Sequence, residues 1–293
     1  MRRLILTAAL FLACAAPAGA SQLVDRNAQG VKLAVNAKGE ALLTYTSAGK
    51  LKHVLAWDAV NALAPTKARP QVAFKLDYSG GYGKYRNDYW KTFGAACGAY
   101  DEAPLGWLVA ACKAPDGSYW ALQSWQRALP NYGVAPTPLQ SVWELHLSHW
   151  TGELPVLTIK TDWAYKKFDH LYGTFTYNGG GVFGFRSTPA GVPLDTYGRN
   201  IYLDTFNSAY GAGWKRENSF LTHRSAGTFC YGFFPHGSHP IGRGTKYRAT
   251  IIGPGVTPDM LWQGNAPGLF DPAAEQLATT EQRSFADAAC KAN

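Results

Sequence analysis

Two glycine-rich runs hold the side chains best suited to chemistry. Tyr82, Tyr85, Arg86 and Trp90 cluster in one; Tyr210, Trp214, Lys215 and Arg216 cluster in the other. Flat aromatic faces beside basic donors suit stacking on sugar rings, with Lys and Arg donating to hydroxyls or carboxylates. Glycine lets a loop backbone come close to a ligand. The competing expectation is plain packing, with the rings filling core under long loops and the charges pointing to water.

The segment Leu194–Phe206 repeats Leu-Asp-Thr-aromatic around a turn. A two-residue turn at Arg199-Asn200 sets Asp195 opposite Asp204 on one face. Like charges directly opposed are destabilising unless a cation, a nearby Arg or a shared proton offsets them. Paired carboxylates with separated pKa values can do acid–base work, as in glycoside hydrolysis, and can also hold Ca²⁺. His223 is a candidate general base. A structural hairpin explains the same residues without chemistry, and a three-residue turn would separate the pair.

His146 and His149 are spaced H-x2-H, which on a strand sends them to opposite faces and denies them a common metal. His236 and His239 lie in a proline-bounded run, where two ligands are too few for a stable site. There is no G-x-S-x-G or H-E-x-x-H pattern. The expectation is no metal and no cofactor.

Four cysteines, Cys97, Cys112, Cys230 and Cys290, follow the first twenty residues. An even set without C-x2-C spacing points to two disulfides rather than zinc. Pairing nearest neighbours gives Cys97–Cys112 and Cys230–Cys290.

The elements that must position these groups read as strands. Short runs of Val, Ile, Thr and aromatics are separated by turn residues. Asn36-Ala37-Lys38-Gly39, Pro115-Asp116-Gly117 and Asn178-Gly179-Gly180-Gly181 are turns with a mechanism, because Pro presets φ and Gly accepts positive φ. In Ser141–Trp150, Trp143, Leu145, Leu147 and His149 share one face, while Val142, Glu144, His146, Ser148 and Trp150 share the other. Only Pro272–Lys291 reads as a helix, with Asp271 as N-cap and Pro272 at N1. The fold class is therefore all-β, a sandwich or barrel of about a dozen short, mostly antiparallel strands with one C-terminal helix. Residues 21–293 form one domain, or two β subdomains divided near 130–140.

The first twenty residues read as a cleavable export signal. Arg2 and Arg3 precede the apolar stretch Leu4–Ala16, and Ala18-Gly19-Ala20 fits a cut after Ala20. The cut takes two of the 28 basic residues, leaving 26 against 20 acidic, a net charge of +6. That is a mild excess without charge blocks, so no nucleic-acid partner is expected. No later apolar run is long enough to span a membrane.

These features set the functional expectations. The first is a secreted or periplasmic, non-catalytic binding protein for a polysaccharide or anionic cell-envelope polymer, using the two glycine-rich runs. The second is a secreted glycan hydrolase using Asp195 and Asp204. The third is a structural or protein-interaction module. Oligomeric state is not legible.

Overall fold

The structure, a computed structural model, describes residues 21–61, 72–127, 142–165, 168–182, 200–221, 226–233, 244–253 and 255–284. It is mostly β, with seventeen strands in four antiparallel sheets among the described residues and one C-terminal helix. Residues 1–20, the 130–140 segment, Asp195, His223, the His236/His239 run and Cys290 lie outside the described residues.

The first half builds two sheets. In chain order the strands are β1 (Gln22–Arg26), β2 (Gln29–Val35), β3 (Ala41–Ser47), β4 (Lys50–Asp58) and β5 (Phe74–Asp77). Then come β6 (Gly98–Ala99), β7 (Leu108–Lys113), β8 (Tyr119–Arg127) and β9 (Val142–Trp150). The meander β2-β3-β4-β5 is one sheet, and β1-β9-β8-β7-β6 is the other. The expected turns close them. Asn36 Oδ1 accepts from Lys38 N at 2.9 Å and Glu40 N at 3.0 Å, joining β2 to β3. Ala114 N donates to Ser118 O at 2.8 Å and Gly117 takes a φ of 84°, joining β7 to β8. Between β5 and β6, Tyr82–Tyr85 makes a single helical turn, α1. Leu43, Tyr45, Val54, Trp120, Leu122, Leu145 and Leu147 pack between the two sheets as the first core. Cys97 and Cys112, 5.7 Å apart at Cα, form the expected disulfide at its margin.

The second half repeats the plan. β10 (Val156–Ala164), β11 (Phe168–Tyr177), β12 (Gly180–Gly181) and β15 (Thr228–Gly232) make one sheet. β13 (Asn200–Ser208), β14 (Gly211–Leu221), β16 (Lys246–Ile251) and β17 (Met260–Asn265) make the other, in the order β14-β13-β16-β17. Leu171, Phe175, Ile201, Leu203, Phe229, Tyr247 and Ile251 form a second, separate core between them. In chain order the first core ends at Leu147 and the second begins at Leu157. Helix α2 (Pro272–Ser284) lies on the outer face of the β10-β11 sheet. Asp271 caps it as expected, with Oδ1 accepting from Ala273 N at 2.8 Å. Cys230 is disulfide-bonded, and sits opposite Tyr172 on the face α2 covers; its partner lies outside the described residues.

The two halves stack sheet on sheet. The outward face of the β1-β9-β8 sheet carries Gln123, Trp125, Glu144, His146 and Ser148, and it meets the β13-β16-β17 sheet. Trp125 packs on Tyr202 at 5.4 Å, and Gln123 Nε2 donates to Asp259 O at 2.8 Å. The seam is polar: Glu144, His146, Asp204, Arg216, Thr250 and Asp259 are all buried. His146 and His149 do lie on opposite faces of β9, stacked on Trp125 and Trp120 respectively.

Candidate functional site

A groove of about 610 Å³ opens where the edge strands β10 and β17 meet α2. The register of the β10-β11 pair sets Lys160 opposite Tyr172, with both side chains on the sheet face that α2 covers. Lys160 Nζ pairs with Glu281 Oε1 at 2.6 Å, and the Tyr172 hydroxyl donates to Glu281 Oε2 at 3.2 Å. Burial, and then the Glu281 carboxylate, push the Tyr172 phenol up from its ordinary value. Thr161 Oγ1 donates to Asn265 O at 2.9 Å and ties β10 to the end of β17 in the other sheet. A Cβ at Gly264 would lie 2.4 Å from the Trp262 ring, so this position must be glycine for the indole to lie across the strand. Trp262, Asp162 and Asn265 line the same groove. An aromatic plate beside a carboxylate, an amide and an ion pair offers both stacking and paired donors and acceptors, the chemistry a polyhydroxylated ligand needs.

The first glycine-rich run is a folded cap over the β2–β5 sheet. Asp77 organises it by accepting from the Ser79 hydroxyl, Ser79 N and Lys84 N. Gly81 has a φ of 101°, and a Cβ there would stand 2.7 Å from Tyr89 Cβ. Trp90 stacks flat on His53 at 4.1 Å. The hydroxyls of Tyr85 and Tyr89, the Lys84 ammonium and the Asn36 amide all converge on Glu40, which is buried. Burial works to raise the Glu40 carboxyl, but hydrogen bonds from Lys84, Tyr85 and Asn36 overcome it and hold it down at about 2. Tyr85 and Trp90 thus serve the fold. Tyr82, 52% exposed, and Arg86 face outward.

The second run is a hairpin rather than a loop. Trp214, Lys215 and Arg216 are on β14, and Tyr210 is in the turn. Arg216 is buried and donates through Nε to Asp204 Oδ1. Arg248 donates to Asp204 Oδ2 through Nε at 3.0 Å and Nη2 at 2.9 Å. The Arg248 guanidinium lies 4.5 Å from the Trp214 ring and 4.9 Å from the Trp107 ring. Asp204 therefore anchors a charged, aromatic-clad joint between the halves, and Trp214 and Arg216 are parts of that joint. Lys215 and Tyr210 remain half-buried.

Two polar clusters have no simple signature in the chain. Ser21 Oγ donates to Asp259 Oδ1 at 2.7 Å and lies 2.9 Å from His146 Nδ1, while His146 Nε2 is 3.4 Å from Glu144 Oε2. The set resembles a Ser/His/acid constellation, but all four residues are buried in the seam, at 5% exposure or less. The other cluster centres on Glu217. The register passes from Asn218 opposite Leu203 to Arg216 opposite Asp204, leaving Glu217 in a bulge. Burial raises its carboxyl to about 7, against an opposing pull from the nearby Thr205 hydroxyl and with a further upward push from Asp169. Each cluster draws in members far apart in sequence, Ser21 and Asp259 in one and Asp169 in the other, so spacing alone gives no sign of them.

Among the described residues no group of three or more His, Cys, Asp or Glu could hold a metal ion, and no helix is long and apolar enough to cross a membrane. Comparison with protein-family models, with curated proteins and with solved structures finds no match to this chain.

Proposed function

We propose that this is an exported, non-catalytic binding protein for a polysaccharide or cell-envelope polymer, and that the polymer lies in the groove between β10, β17 and α2. The observation that carries the reading is the laid-down indole of Trp262, held flat over Gly264 beside Asp162, Asn265 and the Lys160–Glu281 pair. A groove volume of about 610 Å³ falls in the range of small-ligand sites. Export is supported by the leader pattern and by disulfide-bonded Cys97, Cys112 and Cys230. Binding is favoured over hydrolysis because Asp204, one of the two carboxylates that hydrolysis would require, is neutralised by two guanidinium groups.

The test is retention on insoluble cell-wall polysaccharides and on a panel of soluble oligosaccharides. Trp262→Ala should weaken binding at least tenfold, with its thermal midpoint checked against the parent. Tyr82→Ala with Arg86→Ala, on the exposed part of the first glycine-rich run, should leave binding within about twofold. Loss from the second variant and not the first would move the site to that run. No retention of any polymer by the parent protein would reject the reading.

A further inference from the structure

Ser21 is the residue that follows Ala18-Gly19-Ala20, and it is 1% exposed at the seam between the halves. Its hydroxyl donates to Asp259 Oδ1 at 2.7 Å. The other close donors to the Asp259 carboxylate are Trp125 Nε1 at 2.8 Å and Gly253 N at 3.0 Å, both uncharged. His146 Nδ1 stands 3.7 Å away. Three of the other buried carboxylates have a permanent cation close by. Asp204 has Arg216 and Arg248, Glu40 has Lys84, and Glu144 has Arg26. Among the described residues Asp259, 2% exposed, has no Lys or Arg partner. A buried carboxylate is ordinarily paired or hydrogen-bonded, and its most effective partner is a cation.

We propose that cleavage after Ala20 supplies that cation: the new Ser21 α-ammonium becomes the counter-ion of Asp259 and completes the seam. Hydrolysis of the Ala20–Ser21 peptide bond by the export-route peptidase consumes one water, leaves a carboxylate on Ala20 and an amine on Ser21, and that amine takes a proton. An uncut chain has only a neutral amide at the same place. Covalent geometry keeps the Ser21 nitrogen within about 4 Å of its own Oγ, and so within reach of the carboxylate that Oγ already contacts. Leader removal is then a maturation step that fastens the two halves together. The inference rests on the export reading made above.

The full chain is exported from a bacterial host and its N-terminus read by mass spectrometry. The α-amine is then acylated across a range of pH, in folded and in urea-unfolded protein, and the N-terminal peptide quantified. The expected result is a chain beginning at Ser21. Its folded amine should react at least twentyfold more slowly at pH 7, and its reactivity midpoint should lie at least one pH unit above that of the unfolded chain. Asp259→Asn should abolish the difference in midpoint. If that variant does not fold, the parent comparison decides alone. Equal midpoints in folded and unfolded parent overturn the proposal, as does a mature terminus at another residue. A chain that is never cut overturns both this proposal and the export reading, whereas a cut at Ser21 with equal midpoints overturns only this one.

Discussion

Replacing Glu217 with Gln should change how stability depends on pH in a way set by one bulge. In the unfolded chain Glu217 loses its proton near the ordinary value of 4.5; in the folded protein it does so near 7. Between those values the folded state still holds a proton that the unfolded state has released. Stability therefore falls as pH rises from about 4.5 to 7 and levels off above that window. Full burial would make the difference about 3 kcal/mol. The side chain is only partly enclosed, so about 1–2 kcal/mol is the working figure. Burial keeps His149 and His170 neutral, and they act in the opposite sense, adding stability as pH rises toward the ordinary histidine value of 6.5. The difference between parent and variant is thus the informative quantity, rather than either slope alone. Urea unfolding at pH 5 and pH 8 measures it. Glu217→Gln should be more stable than the parent at pH 8 by about 1–2 kcal/mol and nearly equal to it at pH 5. A variant that tracks the parent at both pH values, or is less stable at pH 8, refutes the account of Glu217 as a buried acid.

Two further outcomes follow from the seam and the disulfide. Asp204→Asn leaves the Arg216 guanidinium buried without its carboxylate and should cost about 3–5 kcal/mol in chemical unfolding, far more than loss of an exposed pair. Cys97→Ser with Cys112→Ser opens a loop of 15 residues and should lower stability by about 3 kcal/mol, read as a drop in thermal midpoint that reducing agent reproduces in part in the parent.

The strands were legible where turn chemistry and alternation agreed. β9 spans Val142–Trp150 with the two faces the alternation gives. β14 was not, because Gly211, Gly213 and the charged Lys215–Glu217 look like a loop; pairing with β13 holds them extended. β1 and β17 are short and polar enough that only tertiary pairing identifies them. The polar face of β9 is the more instructive case. Glu144, His146 and Ser148 read as solvent-facing on a two-layer pattern, yet they are buried because another sheet lies over them. Of the binding residues read from the two runs, Tyr85, Trp90, Trp214 and Arg216 turned out to have partners within the fold. The groove drew on Trp262, Asp162 and Glu281, which lie in separate elements and have no shared spacing.

The polar character of the seam bears on how the chain is assembled. All nine strands of the first half lie between Gln22 and Trp150, so that half can close its own core before any of β10–β17 has been made. The surface it must then leave uncovered sets the Trp125 ring among Gln123, Glu144, His146 and Ser148, a polar sheet face with one large apolar side chain. A half-built molecule waiting for the rest of its chain is therefore poorly sticky, and the order of synthesis carries little risk of misassembly with its neighbours.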